Sequence, residues 1–117
     1  MKPKNYKYLD GSGNQYNIQD DMRKTLEYVP VKPESSSSGI YDGGKYVKTE
    51  ITIDQFNKIV SLLNSAIRKS EIHIKDRVKM SGMIIVEEEG NRNAYILDPY
   101  SEEKFSIETK LREIFEI

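Results

Sequence analysis

One histidine, a run of four serines and a glycine-flanked lysine carry the most obvious chemical potential in this chain. The lysine closes Gly39-Ile40-Tyr41-Asp42-Gly43-Gly44-Lys45, which matches the opening of the phosphate-cradling pattern G-x-x-x-x-G-K. That pattern needs a following Ser or Thr to hold magnesium, and a loop joining a buried strand to a helix whose first amides meet phosphate. Here Tyr46 follows, a serine run precedes and an alternating strand pattern comes next, so the P-loop reading fails. Two other uses of the segment survive. Successive glycine amides at Gly43 and Gly44 can form a concave nest for a small anion, with Ser35 to Ser38 adding hydroxyl donors, Lys45 a positive charge and the basic strip near Arg68 a second contact. Ile40 and Tyr41 are apolar side chains on a glycine-flanked segment, awkward in water but suited to a partner's groove. Against both stands the plain reading of glycine and serine as the ordinary composition of a mobile connector.

His73 has an unperturbed pKa suited to proton transfer near neutrality, and Glu71, Lys75 and Asp76 lie close to it in sequence. With Arg77 stabilising a developing anion, it forms the one acid-base group an enzyme reading can use. The plain alternative is a surface histidine on a charged strand. No cysteine is present, so a metal site would need this histidine plus carboxylates alone, and no metal or cofactor is expected. No G-x-S-x-G elbow singles out a nucleophilic serine, and no catalytic residue is assigned. Glu87-Glu88-Glu89 resembles a cation cluster only until strand geometry is considered, because adjacent residues point to opposite faces. A solvated hairpin tip is the expectation.

Composition narrows the partner. Lys and Arg total 18 against 19 Asp and Glu, a balance too even to gather nucleic acid or to mimic it with an acidic surface. Arg68, Lys69, Lys75, Arg77 and Lys79 outnumber Glu71 and Asp76 and define one local basic strip. Tyr6, Tyr8, Tyr16 and Tyr28 could stack bases, but without a basic groove beside them they read as packing on a sheet face. The longest apolar run, Met83-Ile84-Ile85-Val86, is far short of the roughly 20 residues that span a bilayer. The N-terminal residues lead into no apolar stretch typical of a signal peptide, so neither membrane nor export is expected. Lack of cysteine argues against a disulfide-stapled secreted scaffold and for the cytoplasm.

The elements that must hold these residues follow from periodicity. Tyr6–Leu9 and Tyr16–Ile18 flank Asp10-Gly11-Ser12-Gly13-Asn14 as a hairpin. Residues 19–31 carry both signals, since Asp20, Asp21 and Met22 could start a helix while Thr25 to Val29 alternate as a strand. A strand over about 24–29 is the choice, because Pro30 and Pro33 leave a segment too short for a stable helix. Residues 33–45 form a Ser/Gly-rich loop. Val47, Thr49, Ile51 and Ile53 alternate with polar residues as a clear strand, and Thr52 to Gln55 fits a capping box. Phe56, Ile59, Val60, Leu63, Ala66 and Ile67 make one apolar stripe on a helix over about 54–69. A short extended segment around Ile72 and Ile74 follows, then a hairpin of 78–88 with 93–98. Ile107, Leu111, Ile114 and Phe115 mark a second helix over about 102–116, capped by Ser101 or Ser106.

The pattern predicts one α+β domain over 1–117: a mostly antiparallel sheet of about five or six strands with both helices on one face. Its expected function is that of a non-enzymatic module binding another protein, an inhibitor or immunity-type antagonist presenting residues 34–45. Ser37 to Lys45 are the candidate contacts, with Arg68, His73 and Arg77 as secondary ones. A small-anion or nucleotide binder using the same loop, and a small enzyme using His73, are the alternatives.

Overall fold

Alternation of tyrosine and aliphatic side chains builds the sheet. The computed structural model describes residues 4–20, 23–32 and 43–115. Tyr6 and Tyr8 of β1 (Lys4–Leu9), Tyr16 and Ile18 of β2 (Gln15–Asp20), and Leu26 and Tyr28 of β3 (Lys24–Val29) are all buried. Their registers, Tyr8 opposite Tyr16 opposite Tyr28 and Tyr6 opposite Ile18 opposite Leu26, put all six on one face. The strand expected at 24–29 is present.

Four more strands complete an antiparallel sheet: β4 (Val47–Glu50), β5 (His73–Ile74), β6 (Gly82–Glu88) and β7 (Asn91–Leu97). Their order is β4-β3-β2-β1-β6-β7-β5, so the count is seven rather than five or six. The extra member is β5, where His73 and Ile74 pair with Leu97 and Ile96, bringing the extended segment into the sheet. β6 and β7 are joined by Glu89-Gly90, both at positive φ (52° and 82°), as a two-residue type I′ hairpin requires.

Most strand ends shift by one or two residues, and two boundaries differ by more. β4 spans four residues instead of 46–53, because the capping box removes Thr52 from the sheet. The alternation placed Ile53 inward, yet as the first helical residue it is 67% exposed. β6 starts at Gly82 rather than Val78, since residues 78–81 close a turn in which Ser81 N and Oγ both donate to Val78 O.

The helix α1 (Ile53–Arg68) begins where the sequence places it, with Gln55 N donating to Thr52 Oγ1 and Thr52 N to Gln55 Oε1. Its 16 residues give about 24 Å of length. Six interstrand steps of about 4.8 Å separate the two edges, so α1 carries the chain from β4 most of the way across to β5. The second helix, α2 (Glu102–Phe115), is capped by Ser101, whose Oγ accepts from Lys104 N at 3.4 Å. Tyr6 donates to Asn64 of α1 and Tyr8 to Glu108 of α2, so both helices cover the same sheet face. Ile59, Leu63, Ala66, Ile107 and Leu111 close one core against it. No helix among the described residues is long and apolar enough to cross a membrane.

Candidate functional site

The Ser/Gly-rich segment leaves and rejoins the described body at one place. Gly43 N donates to Val31 O at 2.8 Å, the Tyr28 hydroxyl donates to Gly43 O, and Lys32 Nζ donates to Gly44 O. Val31 N is held in turn by Asn14 Oδ1 at 2.9 Å. The described residues on either side, Val31 and Lys32 before and Gly43 and Gly44 after, are therefore bonded to each other, to the β1–β2 turn and to the end of β3. Ser37, Ser38, Gly39, Ile40, Tyr41 and Asp42 lie outside the described residues. Of the loop candidates, Gly43, Gly44 and Lys45 are described, and Lys45 leads through Tyr46 into β4 rather than into a helix.

Beside this tether opens a cleft of about 430 Å³, a volume within the usual range for ligand sites. Its walls come from the β1–β2 turn, Tyr16, Tyr28, Gly43, Met80 and one side of α2. Asp10 organises the turn: Oδ1 accepts the Ser12 and Asn14 amides, both at 2.9 Å, and Oδ2 accepts from Asn14 Nδ2 and the Tyr16 hydroxyl. From α2 come Lys104 and Glu108, almost fully buried, with Nζ to Oε2 at 3.2 Å. The Tyr8 hydroxyl reaches the same Glu108 oxygen at 2.6 Å. Met80 and Phe105, each about half exposed, form the apolar rim.

This polar network is satisfied throughout: no buried side-chain donor or acceptor among the described residues lacks a partner. Burial, then the Glu108 carboxylate, pushes the Tyr8 phenol far above the ordinary tyrosine value. Burial, then Asp10, does the same to Tyr16. Both phenols consequently stay neutral donors and are poor proton acceptors from a substrate. Among the described residues, no three His, Asp or Glu side chains converge to hold a metal ion.

The secondary candidates stand elsewhere. His73 is in β5, at the opposite edge from β4, with Nε2 at 2.9 Å from Ala66 O and its ring 5.4 Å from that of Tyr95. Glu71, Lys75 and Asp76 beside it in sequence are exposed. Arg68 ends α1 in solvent. Arg77 is a brace: Nη2 donates to Ser81 O at 2.9 Å and to Asp10 O at 3.4 Å, tying the β5–β6 connection to the β1–β2 turn. Arg68 and His73 are therefore not gathered with Gly43, Gly44 and Lys45, whereas Arg77 touches the backbone of a residue that lines the cleft.

The cleft residues Asp10, Lys104, Glu108 and Arg112 were not singled out in the sequence. A signal was available, since Lys104 and Glu108 interleave with Ile107 and Leu111 at three- and four-residue steps. Charges set inside an apolar helical stripe mark a buried pair. Compared with protein-family profiles, curated proteins and solved structures, the chain matches none.

Proposed function

We propose that this protein is a non-enzymatic binding module, an inhibitor or immunity-type antagonist, that recognises another protein through residues 33–45 and the cleft at their foot. The observation that carries the reading is the double tether: Gly43 is bonded to Val31 and Tyr28 at the mouth of a cleft whose rim exposes Phe105 and Met80. With the flanking residues held on a sheet-and-helix body, presenting Ile40 and Tyr41 to a partner need not reorder the scaffold, which lowers the entropic cost of association. Aromatic side chains beside a concavity are the usual anchors of such surfaces. The cytoplasm is the proposed setting, in keeping with a cysteine-free chain.

The test compares three immobilised chains for capture of proteins from the native host: the natural one, Ile40→Ser with Tyr41→Ser, and Phe105→Ala. The proposal expects one protein bound by the first and lost or strongly depleted with both variants. Equal recovery on all three would move recognition away from this end of the molecule.

A further inference from the structure

We infer that the cleft is a carboxylate site, with Arg112 recognising the oxyanion and Phe105 packing against the group that carries it. The inference rests on the binding role proposed above and names what the partner would place there.

The donors and acceptors of the cleft decide which charge it can take. Both oxygens of Asp10 are already engaged by the turn amides, Asn14 and Tyr16. Glu108 Oε2 is engaged by Tyr8 and Lys104, and Oε1 by Lys104 Nζ at 3.4 Å, with Arg112 Nη2 at 4.0 Å. A ligand cation thus meets Asp10 with both oxygens filled and Glu108 already paired with Lys104, whose Nζ also stands 4.9 Å from the centre of the Phe105 ring. What remains is donor capacity. A guanidinium carries five N–H groups in a fixed fork. In Arg112, Nε donates to Glu108 O at 3.2 Å, while Nη2 lies 4.0 Å from Glu108 Oε1, beyond hydrogen-bond reach. Among the described residues, the terminal nitrogens of Arg112 have no hydrogen-bond acceptor, and its side chain is half exposed at the cleft.

Arg matches a planar two-oxygen anion with two parallel hydrogen bonds. The exposed ring of Phe105 and the Met80 side chain on the same cleft suit an apolar group next to that anion. A terminal carboxylate on an apolar residue has this chemistry, and so does a free aromatic acid.

The experiment is an amide and guanidinium NMR titration of the full chain with N-acetyl-phenylalanine, its C-terminal amide, a short peptide ending in a phenylalanine carboxylate, and inorganic phosphate. The expected result is that both carboxylates move the Arg112 Nε–H and Gly43 signals while the amide does not. Arg112→Gln should weaken the carboxylates by roughly tenfold or more, the size of one charge-assisted hydrogen bond. Phe105→Ala should weaken them while leaving the guanidinium response in place. Tighter binding of the peptide than of the single residue assigns the site to a protein terminus, and equal binding assigns it to a free small acid. The inference is overturned if neither carboxylate binds, if the amide binds as well as the acid, if phosphate binds as well as either, or if Arg112→Gln changes nothing. Acid binding without protein capture would sink only the partner reading. Capture without acid binding would sink only this one.

Discussion

Replacing Glu108 by Gln should be among the costliest single changes in the protein, although the substitution is nearly isosteric. The carboxylate is about 10% exposed and Lys104 about 2%, at 3.2 Å from each other. At an effective dielectric of about 20, that separation corresponds to about 5 kcal/mol of attraction, set against the cost of desolvating both ions. Removing one member leaves the other charge buried without a counter-ion, which typically costs about 3–5 kcal/mol. Gln retains an oxygen for the Tyr8 hydroxyl, so the loss reports the charge and not the hydrogen bond. Urea denaturation of the natural chain, Glu108→Gln, and Glu108→Gln with Lys104→Met provides the assay. The single variant should lose about 3 kcal/mol or more, and the double variant should regain most of it, since a buried ion pair is often replaceable by neutral groups. A single-variant loss below about 1 kcal/mol, or a double variant no better than the single one, would refute the buried-pair reasoning.

Alkali should destabilise the fold steeply. The Tyr8 and Tyr16 pKa values are raised on folding, so the stability they contribute is complete below the ordinary value of 10.0 and falls as pH rises above it. The unfolded chain then releases two protons that the folded one keeps, a slope of about 2.7 kcal/mol per pH unit that Tyr8→Phe should halve in urea titrations. Leu63→Ala, at a fully buried position of α1, should cost about 2–5 kcal/mol, and an unchanged denaturation midpoint would contradict the proposed helix face. Thr52→Ala removes the capping hydroxyl and should cost about 1 kcal/mol by the same assay. In Gly82→Ala the new methyl would overlap the Tyr8 hydroxyl, so the variant should be destabilised, and combining it with Tyr8→Phe should give less than the sum of the two losses.

Local pattern carried most of the architecture. Tyr6, Tyr8, Tyr16 and Tyr28 revealed the inner sheet face because a strand's period of two is independent of what packs on it. Thr52 and Gln55 revealed the start of α1 because both partners of a capping box lie within one turn. The errors arose where two local signals competed or where distance mattered. Alternation ran on through Ile51 and Ile53 although the capping box had already redirected the chain. His73 and Ile74 form a strand only because Leu97 and Ile96 are there to pair with them. The cleft was least legible. Lys104 and Glu108 read alone as a surface pair at i and i+4; their place in the Ile107–Leu111 stripe hints at burial, but the partner that holds them, Tyr8, lies a hundred residues earlier in the chain. Residues 37–42, on which the binding expectation chiefly rests, lie outside the described structure.

The most direct measurement of the proposed recognition is amide hydrogen exchange of the full chain, alone and bound to the protein it captures. The account predicts slowed exchange at the β1–β2 turn, at residues 33–46 and in the first half of α2 around Phe105. Protection confined to the open sheet face, at Asn5, Asn17 and Gln19, with the loop and cleft unchanged, would contradict it.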